Sequence, residues 1–388
     1  MNRALVLDGR ALSSLAVVRS LGAEGYRIDV GESFKWNLTS FSRYVDEHFV
    51  YPDPEDAPDR FIETVIRRLQ EVPYDVVLPT RDATTRLVSA HQDQINRYTN
   101  TYIASPEVMD VFMDKGKTIK LADDIGIPTP TTFFPEDTAL EELSRQVSYP
   151  ALIRPRRSAG SRGITRVESK QELTTAFHDV SADYGTPMVQ EYVEKTGYTT
   201  ACLLLDGDQR EVASFSYERL KEYPLSGGPT VVGRSTNDTE AIDYARRLLS
   251  AGDWKGVAEV EFIRDGDGVP RLLEVNPRFW TPVQLPIAAG VDFPKLLTRM
   301  ATGDDVDRLN GYDTDLAYRW ILPNELLHTF KSGNILGGFR QMIRSRTENT
   351  CYGVLSLEDP GPTAGTLAQS MVFLSDQKKR EQVLDRAW

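Results

Sequence analysis

The chain has 388 residues and a formal net charge of −12 at pH 7. That length leaves room for two or three domains with sizeable cores, and the acidic balance argues against a general binder of nucleic acid or of an anionic membrane. Cys202 and Cys351 belong to no CxxC pair and read as buried thiols in a reducing compartment. The four histidines show no metal-ligand spacing, the N-terminus enters a strand without the apolar core of a signal peptide, and no apolar run reaches membrane-spanning length. The expected setting is the cytoplasm.

In chain order, RALVLD (3–8) reads as a buried strand, the stretch after GRALSS as a helix, and RIDVG as a second strand. FIETVIRRLQ has the pattern of an amphipathic helix and YDVVLPT that of a further strand. Residues 1–104 are therefore predicted to form a doubly wound parallel-sheet domain of the α/β class. GxGxxG is missing, so nothing marks a dinucleotide site. Arg10, Arg81 and Asp82 fall just past strand ends, where open α/β sheets bind ligands.

Ser105-Pro106 starts one helix, and a second runs from Lys115 to Gly126, with Pro128 and Pro130 beyond it. ALIRP is a strand, SAGSRGI a loop of small residues, and TRV the strand that follows. Successive backbone N–H groups in such a loop can cradle phosphate oxygens, and Arg154, Arg156, Arg157 and Arg162 make the surroundings positive. PMVQEYV and TACLLLDG are strands joined by a linker. YPLSGGPT is too rich in Gly and Pro for a regular element, and Arg234 lies just after it.

Gly256–Arg278 is the most informative stretch. VAEVEF and RLLEV flank an acidic, Gly-rich DGDG turn, which is a hairpin signature. Glu261 lies on the first strand and Glu274 on the second, and Asn276 shares a face with Glu274 because side chains alternate along a strand. Two carboxylates and an amide oxygen are hard ligands, suited to Mg²⁺ carrying substrate phosphates. Arg278 follows two residues on, placed to meet an anion.

The string EVNPRFW resembles the metal-binding strand of the ATP-grasp superfamily, whose members use ATP to join a carboxylate to an amine or other nucleophile. The resemblance runs in order over residues 1 to about 300 and is closest to the stand-alone carboxylate–amine ligases, with kinship to the ATP-binding unit of carbamoyl-phosphate synthase. It implies a two-lobed ATP-grasp domain of α+β character over 105–300, with a lid lobe over about 115–190, and it leaves 301–388 as a C-terminal extension without a motif. By the same resemblance, Lys115, Arg154 and the loop residues Ser158, Gly160, Ser161 and Gly163 would hold the triphosphate, and Gln190, Glu191 and Val193 the adenine. Glu261, Glu274 and Asn276 would hold Mg²⁺ or Mn²⁺, and Arg278 and Arg234 would act on the reacting groups. Two departures stand out: arginine replaces the family's usual lysine at 154, and the hinge has no clear carboxylate for the ribose, Glu194 being the nearest.

The implied activity is ATP-dependent activation of a small-molecule carboxylate as an acylphosphate, then attack by an amine. A phosphorylating enzyme without an amine acceptor and a non-catalytic nucleotide-binding module are the alternatives. The implied partners are small carboxylates and amines, with neither nucleic acid nor membrane, and with a homodimer left open.

Overall fold

A computed structural model describes residues 2–158, 160–225, 227–333, 335–344 and 349–375. Ala159 of the small-residue loop, Ser226 of the SGGP stretch and residues 376–388 of the C-terminal extension lie outside the described residues.

The first sheet has four parallel strands: β1 (Arg3–Val6), β2 (Arg27–Glu32), β3 (Glu47–Val50) and β4 (Val76–Leu78), in the order β3-β2-β1-β4. Short apolar strands between covering helices are what a parallel sheet requires, and helix Leu12–Ala23 supplies Leu15, Val17, Val18 and Leu21 as buried cover. All four strands deliver their carboxyl ends to one edge. There Asp8, at φ 67°, accepts the N–H groups of Thr80 and Arg81, each at 3.0 Å, and the Thr84 hydroxyl at 2.6 Å. This buried carboxylate fixes the exits of β1 and β4 relative to each other.

A small antiparallel sheet follows, with β5 (Thr132–Phe133), β6 (Ala151–Arg154), β7 (Thr165–Val167) and β8 (Met188–Glu191) in the order β5-β8-β6-β7. Helices Leu140–Gln146 and Lys170–Tyr184 cover it, and Leu143, Ile153, Leu173, Phe177 and Val189 form a core of its own. Helix Lys115–Asp124 packs elsewhere: Ile119 and Ala122 join the main core.

The large sheet contains β9 (Gly197–Leu205), β10 (Glu211–Glu222), β11 (Thr230–Thr236), β12 (Gly256–Arg264), β13 (Pro270–Asn276), β14 (Ala317–Arg319) and β15 (Thr350–Tyr352), in the order β13-β12-β9-β10-β11-β14-β15. One apolar layer joins Val260 and Phe262 to Leu248 of helix Thr239–Ala251 and continues to Leu5 and Val77 of the first sheet. The other holds Cys202, Phe215 and Tyr217 against Leu15, Phe279 and Trp280.

The stretch without a motif is structurally committed. Its strands β14 and β15 complete the large sheet, and helix Gly361–Ser375 packs on residues 38–41 beside the first sheet. Both cysteines are free; Cys202 is buried and Cys351 only partly so. No described helix is long and apolar enough to cross a membrane.

Candidate active site

A cleft of about 760 Å³ opens where the exits of the first sheet meet the hairpin β12–β13 and the small-residue loop. The hairpin forms because Asp265 accepts the N–H groups of Asp267 (3.0 Å) and Val269 (2.9 Å) and pairs with Arg271 at 2.7 Å, which closes the DGDG turn. Its register sets Glu261 directly opposite Glu274, and Glu259 opposite Asn276. Like charges facing each other across two strands repel, so cations must answer them.

They do. Lys115 Nζ lies 3.1 Å and Arg154 Nη2 3.4 Å from Glu274 Oε2, while Arg219 Nη2 lies 2.6 Å from Glu261 Oε2. Asn276 Nδ2 donates to Glu259 and Glu261, each at 2.9 Å, which turns its Oδ1 toward Arg278 at 3.3 Å. Arg278 grips Asp82 with two hydrogen bonds of 2.7 and 3.2 Å.

The protonation states follow from these partners. Burial raises the pKa of Glu274, but Lys115 and then Arg154 outweigh it and hold the carboxyl below its usual range. Glu259 has a neutral neighbour instead: Tyr217 Oη lies 2.6 Å from its Oε1. Burial, reinforced by the adjacent Glu261 charge, pushes Glu259 up to about 8. Arg154 goes the other way from most arginines here, because burial lowers its pKa by more than Glu274 and Glu261 restore.

Helix Lys115–Asp124 starts at the cleft because Asp114 caps it, accepting from Gly116 N (3.0 Å) and Lys117 N (3.2 Å). Lys115 Nζ also donates to the Ser158 carbonyl at 2.6 Å, which ties the helix to the small-residue loop. Gly163 takes φ 73°, and a Cβ there would come within 2.7 Å of Pro155 and of the Tyr184 ring, so glycine is required. A Cβ on Gly227 would meet Ser161 Oγ at 2.4 Å, so the SGGP stretch lies directly against the small-residue loop.

Of the residues expected from the sequence, Lys115, Ser158, Gly160, Ser161, Glu261, Glu274, Asn276 and Arg278 line this cleft. Arg154 reaches it through Glu274. Gln190, Glu191 and Val193 are not among its lining residues. The Gln190 side chain accepts from Arg154 at 2.8 Å and donates to Thr132 at 2.9 Å, and the Glu191 carboxylate accepts from Thr131 N at 2.8 Å. Arg234 also stands apart. It pairs with Glu218, its register partner on β10, and strand alternation turns both away from the face that carries Tyr217 and Arg219. Arg219 and Glu259 escaped the sequence reading. The signal for Glu259 was present, since it lies two residues before Glu261 on one face of VAEVEF. Arg219 sits in a strand, SYERLKE, with no feature that distinguishes it from Arg234.

Among the described residues, no group of three or more His, Cys, Asp or Glu side chains has the geometry to hold a metal alone. Two opposed carboxylates and an amide are a partial set, suited to a hard cation that brings further oxygens on phosphates or water.

Residues 112–282 match the family model of the ATP-grasp domain. The D-alanine–D-alanine ligase of Halorhodospira halophila is 30% identical over 204 residues, covering 48% of this chain and 65% of the ligase. The carbamoyl phosphate synthase large chain of Rubrobacter xylanophilus is 28% identical over 214 residues, covering 52% of this chain and 20% of the synthase. The chain thus spans just under two thirds of the ligase and one fifth of the synthase. Among solved structures, the biotin carboxylase domain dimer of Hydrogenobacter thermophilus 2-oxoglutarate carboxylase, in complex with MgADP, ADP and bicarbonate, superposes with a TM-score of 0.66 at 17% identity, covering 80% of this chain and 73% of that one. N5-carboxyaminoimidazole ribonucleotide synthetase from Thermotoga maritima gives 0.59 at 15% identity, with 82% and 79% covered. With the Glu261–Glu274–Asn276 hairpin, the Lys115 helix and the small-residue loop meeting at one cleft, residues 112–282 form an ATP-grasp domain.

Proposed function

We propose that the cleft binds ATP with Mg²⁺ or Mn²⁺ and that the protein is a ligase joining a small-molecule carboxylate to an amine. The observation that carries this reading is the pairing of two opposed carboxylates, Glu261 and Glu274, with Lys115 and Arg154 beside a loop of small residues. Bound at Glu261, Glu274 and Asn276, the divalent ion would neutralise and align the phosphate oxygens. Lys115, Arg154 and the N–H groups of 158–163 neutralise the triphosphate, and the backbone of Glu191 and Val193, with Gln190, flanks the adenine. The small sheet β5–β8 is the lid.

The substrate carboxylate attacks the γ-phosphorus, the bond to the β-phosphate oxygen breaks, and ADP leaves with an acylphosphate formed. Phosphoryl transfer of this kind depends on positioning and charge neutralisation. Arg278, held by Asp82, is placed to donate to the transferring group. The amine then attacks the acyl carbon, phosphate departs, and the nitrogen gives up a proton to yield the amide. Lid closure keeps water from the acylphosphate. A cytoplasmic location, where ATP is available, fits this chemistry.

The test is ADP release from Mg·ATP across acid and amine pairs, with the products identified. A stable amide supports the ligase. Acyl hydroxamate with hydroxylamine, but no amide with any amine, indicates a phosphorylating enzyme instead. Nucleotide binding without any ADP release would leave only a binding module.

A further inference from the structure

Beyond Arg278 the cleft runs on to Arg10 and Asp53, and helix Gly361–Ser375 forms its wall there through Gln369 and Ser370. That side of the helix is fixed. Gln369 Oε1 accepts from Leu38 N at 2.9 Å, its Nε2 donates to the Arg10 carbonyl at 3.2 Å, and Phe373 meets Phe34 edge to face at 5.6 Å. Gly361 and Gly365 lie so close to the 38–41 backbone that a Cβ would meet the Phe41 and Leu38 carbonyls at 2.0 and 2.7 Å. Just before the helix, buried Asp359 accepts from Arg19 Nε (2.9 Å), Ser42 Oγ (2.8 Å) and Arg43 N (2.8 Å). The helix is thus held in one orientation, and so is the side it turns outward.

The outer side is apolar. Leu367, Met371 and Leu374, spaced i, i+4 and i+7, form one stripe and are 63%, 64% and 54% exposed. Ala364 and Ala368 run along its edge, and past them the exposed Phe41 packs against the helix at Gly361 and Gly365. Leu357, shortly ahead of the helix, is fully exposed. No residue of the helix carries a charge, in a chain in which 26% of residues do. A surface helix ordinarily sets charged residues opposite its buried stripe, and one that is apolar on both sides is suited to being covered on both.

Area and charge identify the cover. Each of these large side chains leaves roughly 100 Å² of apolar surface open, on the order of 500 Å² together. Apolar atoms make up about 65% of a homodimer interface, so a polar rim brings the patch to roughly 800 Å², the share that each partner of a stable complex contributes. The net charge of −12 makes two copies of this chain repel. In a two-fold contact each patch meets itself, so a face without charge is the kind that brings two such copies together without setting like charges in opposition. A membrane surface fits less well, because helices that lie on one carry Lys or Arg on their polar side.

We propose that the outer face of helix Gly361–Ser375 is a homodimer interface, in which the helices of two copies pack across a two-fold axis with Leu367, Met371 and Leu374 at the core of the contact. This contact is independent of the ligase reading and would serve a nucleotide-binding module equally. It also braces the cleft from behind, since the same helix carries Gln369 and Ser370 on its inner side. The experiment is sedimentation velocity of the full chain over roughly a hundredfold range of concentration. The unaltered chain sediments as a dimer at the upper end and dissociates on dilution, and added sulfate tightens the association, as apolar contact requires. Met371→Glu places like charges within the contact and raises the dissociation constant about 100-fold. Leu367→Gln raises it about tenfold, and Met371→Leu leaves it within about threefold. At a dilution where the unaltered chain is monomeric, each variant keeps its urea midpoint and its response to Mg²⁺ with the non-hydrolysable ATP analogue AMPPNP, so the loss is one of association and not of folding. A full chain that stays monomeric at every concentration overturns the inference and leaves the face to another occupant. A dimer whose dissociation constant moves less than about threefold in both Met371→Glu and Leu367→Gln overturns it as well, because the copies then meet elsewhere.

Discussion

The two ends of the cleft are built by opposite means. At the clamp, Glu259, Glu261, Glu274 and Asn276 all come from one hairpin, and the register forces carboxylate against carboxylate. At the far end, Arg10, Asp53, Arg81 and Gln369 arrive from distant segments, and the most buried charges are already matched: Arg10 holds Glu32 at 2.6 Å, and Asp8 accepts from the 80–84 turn. A hairpin that concentrates like charge holds a repulsion that a bound cation relieves. An end assembled from satisfied pairs recognises its ligand by shape and by the few charges left over. On the proposed function, substitutions at the clamp act on metal-dependent chemistry and on the energetics of buried charge, whereas those at the far end act on which substrate fits.

The largest effect is expected at Glu274. Glu274→Gln keeps the size and removes the charge that Lys115 and Arg154 answer, so Mg²⁺-dependent ADP release falls by about 100-fold or more. AMPPNP should still bind, though more weakly. Unchanged turnover would break the comparison at its strongest point. Next comes Arg219→Met, which leaves Glu261 without the guanidinium 2.6 Å away. Removing one partner of a buried pair costs about 3–5 kcal/mol, read here by urea unfolding of the nucleotide-free protein. Mg²⁺ with ADP should return part of that loss, because a bound cation takes over the neutralisation of Glu261. A variant as stable as the parent would mean that the opposed carboxylates hold no repulsion to relieve.

Glu259 sharpens the comparison through pH. Its pKa in the folded protein is about 8, against an ordinary 4.5. Between those values the folded state keeps a proton that the unfolded state has released, so this group makes stability fall as pH rises, and contributes no slope below about 4.5. Glu274 has the opposite sign: held below its ordinary value, it contributes stability that is lost as pH falls through the acid range. In Glu259→Gln the side chain keeps its size and an oxygen that accepts from Tyr217 Oη, without the capacity to ionise. The variant should therefore gain on the unaltered protein between pH 5.5 and 8.5, on the order of a few kcal/mol. A stability difference that does not change with pH would remove the assignment of Glu259 as a neutral member of the clamp.

How much of this was legible follows the same division. The hairpin could be read because its information is local: a turn that Asp and Gly favour, and a two-residue period that places Glu274 and Asn276 together. Lys115 and the small-residue loop were legible for the same reason, each announced by a cap or by residues that permit an unusual backbone. Glu259 was within reach of the same period. The choice between Arg219 and Arg234 was not, because it depends on the register of β10 with β11 and on a bulge after Arg219 that sequence does not reveal. Least legible was the far end. Gln369 contacts residues 331 and 359 positions away in the chain, and Gly361 and Gly365 are demanded by a backbone approach visible only after folding. The α/β class of the N-terminal part was plain from alternating patterns, while the role of β14 and β15 in completing the large sheet was not.

The smallest effect belongs to Arg234. The family resemblance gave it a part in the reaction, and it follows the SGGP stretch closely enough in sequence to suggest the cleft. The strand decides otherwise. Arg234 is opposite Glu218, about half of its side chain is exposed at 48%, and Gly233 and Ser235 on either side of it face the other way. An exposed ion pair of this kind contributes about 0–1 kcal/mol. Arg234→Ala should therefore leave kcat/KM for ADP release within about twofold and unfolding free energy within about 0.5 kcal/mol. Arg219→Met, on the same pair of strands but the other face, should lose both. A tenfold fall in kcat with Arg234→Ala would mean that the face of the large sheet carrying Glu218 takes part in catalysis, and that the reacting groups reach across an edge which now separates the two arginines.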